Sequence, residues 1–286
     1  MANITPQIVK ELRDKTGAGM GDCKNALTDA DGDMQKAIEI LRKKGAASAA
    51  KRSDRSANEG LIESRVSSDN KTAVIVEVNC ETDFVARNAE FVAYVNKVAE
   101  TLINSDVANV DELKKVSLGS MTVLDLHNEI LAKFSEKIEI RRFEKFSTKG
   151  FFADYIHAGS KLAVIVECNI PELNPKAFSL LRDVAMQIAA MNPQYISRND
   201  VSQATIEKEI EIYKEYAITE GKKPDIADKI AIGKLEKFYQ EQCLLEQTFV
   251  KDPGKVVNDV VKEITQEAGT EAKILKFRRY YLGEEL

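Results

Sequence analysis

The chain has 286 residues, 30% of them charged and 44% hydrophobic, with few glycines and prolines and a formal net charge of -5. Such a composition describes an ordered, helix-leaning protein long enough for two or three units with cores of their own, and excludes a disordered or fibrous one. The acidic balance argues against a general nucleic-acid binder, and no run approaches the roughly 18 apolar residues of a membrane span.

The first 45 residues are dense in helix signals. Thr5 followed by Pro6 offers an N-cap and a favourable first-turn proline, and Ile8, Val9 and Leu12 share one face. Thr16-Gly17-Ala18-Gly19 breaks that helix. Met20, Cys23, Ala26 and Leu27 begin a second stripe, which Asp31-Gly32 ends. Asp33 caps a third helix carrying Met34, Ala37, Ile38 and Leu41, with Gly45 as its expected stop. Residues 1–45 thus form a miniature three-helix unit. The stretch from Arg42 to Asn58 lacks a hydrophobic period and sets six basic residues against one acid. It reads as a solvated tether, with the linker proper at 46–58.

An internal repeat follows. Gly60-Leu61-Ile62 leads through Asn70-Lys71 to Ala73-Val74-Ile75-Val76-Glu77-Val78-Asn79, and ninety positions later Gly150-Phe151-Phe152 leads through Gly159-Ser160 to Ala163-Val164-Ile165-Val166-Glu167-Cys168-Asn169. Each copy then enters a helix, marked by Phe91, Val92, Val95 and Val98 in the first and by Phe178, Leu181, Val184, Ala185 and Ile188 in the second. Each half also gains a later strand with paired arginines, Arg141-Arg142 and Arg278-Arg279. The expected class is α+β, with two related subdomains, 59–146 and 147–192 plus 249–286. Each is a small antiparallel sheet with helices on one face and the arginines on the exposed face.

Residues 193–248 interrupt the second copy. Ile206, Ile210, Tyr213 and Ala217 form one stripe, Gly221 and Pro224 punctuate, and Ile226, Ile230, Gly233 and Phe238 form another. The pattern predicts an antiparallel helical hairpin of coiled-coil type, suited to association with a second copy or with a partner.

Enzymatic motifs are scarce. The acidic run Asp29 to Asp33 has its glycine at the wrong place for a calcium loop, Gly17 to Asp22 fails the dinucleotide pattern, and no P-loop exists. Four scattered cysteines (Cys23, Cys80, Cys168, Cys243) form no C-x-x-C pair, and the start M-A-N-I-T-P lacks a signal-peptide pattern. These features predict a cytoplasmic protein with reduced thiols, no metal and no cofactor. Of two histidines, His127 reads as structural and His157 lies at a hairpin tip. A binding protein is favoured over a catalyst. Two other readings remain open: an α+β enzyme using Asp83, Cys80 or His157, and an RNA binder using the paired arginines and the basic tether.

Glu77-Val78-Asn79-Cys80-Glu81-Thr82-Asp83-Phe84-Val85-Ala86-Arg87 ends the first repeated strand with an aromatic at the tip of a polar turn. By residue type alone, Phe84 could fold back over its own sheet with Asp83 capping the next helix. This segment, and residues 12–27 (L-R-D-K-T-G-A-G-M-G-D-C-K-N-A-L), resemble the two signatures of the bacterial elongation factor Ts family, and the similarity runs from Asn3 to about Gly283. The resemblance implies a non-enzymatic guanine-nucleotide exchange factor for the GTPase elongation factor Tu; no direct nucleic-acid or membrane partner is expected, on the charge and apolar pattern given above. It implies that Thr82, Asp83, Phe84 and Val85 disturb the partner's magnesium site, with Phe84 as the inserted group. Asn79, Cys80 and Val85 are read as supports of the turn. It further implies that the first helices form a ubiquitin-associated-like bundle docking through Lys10, Arg13, Thr16, Gly17, Gly19 and Met20, and that His157 meets another domain of the GTPase. Some members carry a further helical module after the last strand. None is expected here, where the sequence ends Gly283-Glu284-Glu285-Leu286.

Overall fold

The computed structural model describes residues 4–50, 52 and 54–284. Three helices open the chain: α1 (Pro6–Thr16), α2 (Met20–Asp29) and α3 (Met34–Ala50). Thr5 caps α1 through its hydroxyl, Pro6 fills the first turn, and Gly17 closes the helix at φ 68°. Val9, Leu12, Cys23, Ala26, Leu27, Ala37 and Leu41 make their common core.

Gly45 does not end α3, which continues to Ala50. A Cβ at Gly45 would lie 3.0 Å from the Cβ and backbone nitrogen of Ala132, so the glycine serves close approach to another helix rather than termination. The basic stretch beyond it is not a simple solvated tether either. Arg52 is only 7% exposed. Its guanidinium donates to the carbonyls of Leu131, Phe134 and Glu136, at and just past the end of α7 (Val123–Lys133), the helix that follows the short α6 (Val110–Lys115).

Two three-stranded antiparallel sheets follow. One has the order β1 (Glu59–Val66), β2 (Thr72–Cys80), β3 (Glu139–Ser147), and the other β4 (Phe151–Ile156), β5 (Leu162–Cys168), β6 (Ile274–Tyr281). The period of two along each central strand sorts its side chains. Val74, Val76 and Val78 face a core built with α5 (Ala89–Asn104) and α7, while Ala73 and Ile75 face away. Likewise Val164, Val166 and Cys168 face α8 (Pro175–Met191) and α11 (Val257–Ala268). Ala163 and Ile165 meet Ala73, Ile75, Ile62 and Phe152 across a sheet-to-sheet seam. Helices therefore cover one face of each sheet, as expected, but the other faces cover each other.

The repeat is visible in the bonding. Ile62 N–H donates to the Ser160 carbonyl at 2.7 Å, and Phe152 N–H, ninety positions on from Ile62, donates to the Asn70 carbonyl at 2.9 Å. Asn70 and Ser160 both take positive φ in their hairpins. Gly60 and Gly150 are also equivalent: a Cβ there would lie 2.1 and 2.0 Å from the carbonyl oxygens of Val78 and Cys168. No side chain fits at either place.

The arginines of β3 are not on an exposed face. Glu77 is fully buried, and its carboxylate accepts from Arg141 at 3.1 Å, Arg142 at 2.7 Å and the Gly283 N–H at 2.9 Å. Arg142 also stacks on Tyr280, 4.0 Å from the ring centre. The remaining insertion is a pair of consecutive helices, α9 (Gln203–Thr219) and α10 (Pro224–Gln242), turned by Gly221 and started again by Pro224. On α9 the buried residue is Ala217, as its stripe predicts. On α10 the buried face is Ala227, Ala231, Leu235 and Tyr239, and Ile226 points outward, so the predicted stripe is rotated. No helix among the described residues is long and apolar enough to cross a membrane.

Two stability predictions follow from buried polar groups. Glu77→Gln removes the charge facing two arginines, and is expected to lower the urea unfolding free energy by about 3–5 kcal/mol, the usual cost of breaking a buried pair on one side. His127 is buried with Nδ1 2.7 Å from the Tyr94 hydroxyl, and burial, helped by Lys114, pushes its pKa down from 6.5 to about 4. The unfolded chain then binds the extra proton first. Stability is full above pH 6.5 and falls on acidification towards pH 4, by about 3 kcal/mol. Unfolding curves of His127→Phe should lack that segment of pH dependence.

Candidate functional site

The turn after β2 is a single helical turn, α4 (Asp83–Ala86). Thr82, not Asp83, is its N-cap: the Thr82 hydroxyl accepts from the Val85 N–H at 3.4 Å. Asp83 occupies the first turn and pairs with Arg87 at 3.1 Å, on the surface. Val85 and Ala86 are buried in the core under β2, which directs the residue between Asp83 and Val85 outward. Phe84 is 83% exposed, the most exposed large apolar side chain among the described residues. It does not fold back over its sheet.

What holds the turn comes from far along the chain. The Glu136 carboxylate accepts from the Glu81 N–H at 3.1 Å, the Thr82 N–H at 3.0 Å and the Thr82 hydroxyl at 2.5 Å. Glu81 returns the gesture: its carboxylate accepts from the Lys137 N–H at 2.5 Å and from Arg55 at 3.2 Å. The Lys137 N–H, ahead of Arg55, holds the Glu81 pKa below its ordinary value. Three charge-assisted bonds on adjacent groups make this turn stiffer than its four residues suggest.

Cys80 lies beneath the turn, its thiol donating to the Thr82 carbonyl at 3.2 Å. Burial, with Glu136 and Glu59 adding to it, pushes that thiol up to about 12, so it is a support and not a nucleophile. His157 is exposed on the β4–β5 hairpin with Nδ1 3.0 Å from the Tyr155 hydroxyl. It joins no acid–base set with Cys80 and Asp83 in the bonding described. Among the described residues, no group of three or more His, Cys, Asp or Glu side chains could hold a metal.

The turn between α1 and α2 is the second group of predicted contact residues, and it lies against α7. Thr16 donates to the Leu12 carbonyl and accepts from the Ala18 N–H, and Gly19 caps α2. Lys10 and Arg13 are exposed, and Met20 is 44% exposed and so outside the core. A Cβ at Gly17 would lie 2.9 Å from the Lys133 side chain, and Lys133 in turn pairs with Glu90 at the start of α5. Sequence reading missed Glu136, Arg52, Arg55 and Lys133. The surplus of bases between residues 42 and 58 was the one signal for the arginines, and nothing local marked Glu136.

The fold thus carries an aromatic outward on a clamped turn and leaves a second turn exposed on the N-terminal helices. The family model described as Elongation factor TS matches residues 81–284. The chain is 47% identical to elongation factor Ts of Clostridium perfringens (strain SM101 / Type A) over 283 residues, covering 98% of this chain and 93% of that protein. It is 47% identical to elongation factor Ts of Clostridium kluyveri (strain ATCC 8527) over 285 residues, with the same coverage, and 44% identical to that of Clostridioides difficile (strain 630), covering 99% and 94%. The chain belongs to the elongation factor Ts family and is a translation elongation factor of protein biosynthesis.

The clamp is directly measurable. In Glu136→Gln, amide hydrogen exchange at Glu81 and Thr82 should speed up by about tenfold or more, the factor that charged hydrogen bonds of ~1.5–3 kcal/mol confer. Amides of Val74 to Val76 should keep their protection.

Proposed function

We propose that this chain is a guanine-nucleotide exchange factor that binds elongation factor Tu in its GDP-bound form and promotes release of GDP. The observation that carries the reading is Phe84, 83% exposed on a turn pinned by Glu136. An exchange factor makes or breaks no covalent bond. It binds the GTPase better when nucleotide and magnesium are loosened, and by linkage weakens nucleotide binding by the same factor. A GDP site depends on backbone N–H groups around the phosphates and on a magnesium ion that demands near-octahedral oxygens, so small displacements are costly there. A rigid aromatic brings a large apolar area to such a site with little rotamer entropy to lose.

Thr82 and Val85 hold the wedge and Asp83 stands beside it. Lys10, Arg13, Thr16, Gly17, Gly19 and Met20 supply the docking face of the three-helix unit, where a methionine beside a tight turn suits an adaptable contact. His157 meets a second domain of the partner. The sister loop of the repeat gives indirect support: ninety positions on from Phe84 stands Asn174, which caps α8 there, so the fold itself does not call for an outward aromatic.

The test is release of a fluorescent GDP analogue from elongation factor Tu, with magnesium present and excess GDP as chase. Substoichiometric amounts of this protein should accelerate release catalytically. Phe84→Ala should keep the thermal unfolding midpoint but lower the maximal rate by on the order of 30-fold or more, the effect of losing one aromatic hot spot of ~2 kcal/mol or above. No acceleration by the folded wild type would overturn the reading.

A further inference from the structure

We propose that Arg52 and Arg55 are positioning residues for the Phe84 turn, linking the seat of the N-terminal helices on α7 to that turn through Glu136 and Glu81. The inference rests on the exchange reading for its kinetic consequence, though its geometry stands apart from it.

A helix leaves its last carbonyls without intrahelical partners, and a guanidinium with five donors in a fixed fork can serve several of them at once. Arg52 does this for α7, donating to Phe134 at 3.0 Å, Glu136 at 2.8 Å and Leu131 at 3.4 Å. Arg55 follows one short turn later, its N–H donating to the Arg52 carbonyl at 3.0 Å. Its guanidinium donates both to the Ser135 carbonyl at 3.4 Å and to the Glu81 carboxylate at 3.2 Å.

Glu136 is the joint. Its backbone carbonyl is held by Arg52, while its carboxylate holds Glu81 N–H, Thr82 N–H and the Thr82 hydroxyl. Moving the 134–137 segment therefore moves the anchor of α4. The same segment is tied to the helix that brings the N-terminal unit, because Arg52 stands two residues past the end of α3.

The seam between that unit and α7 is close at Gly45 and Ala132, with open clefts of about 330 and 180 Å³ on either side. Polar links, Arg42 to Glu129 and the two arginines, border those clefts and add to the contact. An inert tether would need neither a buried arginine nor a shared carboxylate.

The experiment uses the full chain with Arg55→Ala, Arg55→Lys and Arg52→Met. Amide exchange at Glu81, Thr82 and Val85 is read first, independently of any partner. Release of the GDP analogue is then titrated against factor concentration, separating the maximal rate from the half-saturating concentration. In Arg55→Ala the turn amides should exchange about threefold faster, as loss of a half-exposed pair allows. The maximal rate should fall by a similar factor, with the half-saturating concentration unchanged and Arg55→Lys restoring both. Arg52→Met should act in the same direction more strongly. If it fails to fold, Arg55→Ala decides. Unchanged turn amides in Arg55→Ala would overturn the proposal, as would a loss confined to the half-saturating concentration, which would mark the arginines as docking residues only. If the wild type fails to release nucleotide, the exchange reading falls while the amide measurement still tests the linkage.

Discussion

Ala73 and Ile75 of β2 pack against Ala163 and Ile165 of β5, and this seam orders everything around it. A strand in a small antiparallel sheet ordinarily keeps one face wet. Here both central strands are apolar on both faces, so each sheet must find a second covering. The cheapest covering is its own repeat, whose equivalent face has the same need. The result is a helix–sheet–sheet–helix stack in which the outer helices meet Val74, Val76, Val164 and Val166. Backbone bonds between Ile62 and Ser160, and between Phe152 and Asn70, lock the two halves in one register.

The seam also explains the paired arginines. Glu77 falls on the face of β2 that points away from the helices, at the end where small apolar residues give way to charge. A buried carboxylate needs donors on every lone pair. Arg141, Arg142, the Asn79 amide and the Gly283 N–H supply them, and the last of these draws the chain beyond β6 over the first sheet. Only a side chain with a rigid fork of donors can serve a carboxylate while stacking on an aromatic, as Arg142 does on Tyr280. The two halves are thus joined by charge at the rim as well as by packing at the centre.

Much of the fold was legible where local chemistry and tertiary demand agreed. Thr5-Pro6, Gly221 and Pro224 punctuate helices because caps are local. The repeat declared itself because A-V-I-V-E-x-N serves the same doubly buried strand twice. The errors share one cause, a contact with something distant. Gly45 looks like a stop in sequence and acts as a spacer against Ala132. The face of α10 was misread because alanines, which let two helices come close, carry less apolar signal than the isoleucines left outside. Arg141 and Arg142 alternate with apolar residues as surface residues do, and their partner lies on another strand. In the site, the signature residues were legible and their support was not, since Glu136 lies 54 residues from Thr82 and resembles any other acid.

The two copies of the repeat meet the same problem after their central strand and solve it differently. Asn174, ninety positions on from Phe84, caps α8 with its side chain on the Ala177 N–H. Thr82 caps α4 and Phe84 turns out. Burying a phenylalanine is worth about 1.5–3 kcal/mol, so stability alone gives no reason to carry one outward here. The exposed ring keeps that free energy in reserve for whatever surface receives it. A loose loop would lose part of it in ordering, and would bend before its partner did. Glu136 and Glu81 remove that weakness by holding the turn before any contact is made, and under the exchange reading proposed above the distortion would then fall on the partner rather than on the turn.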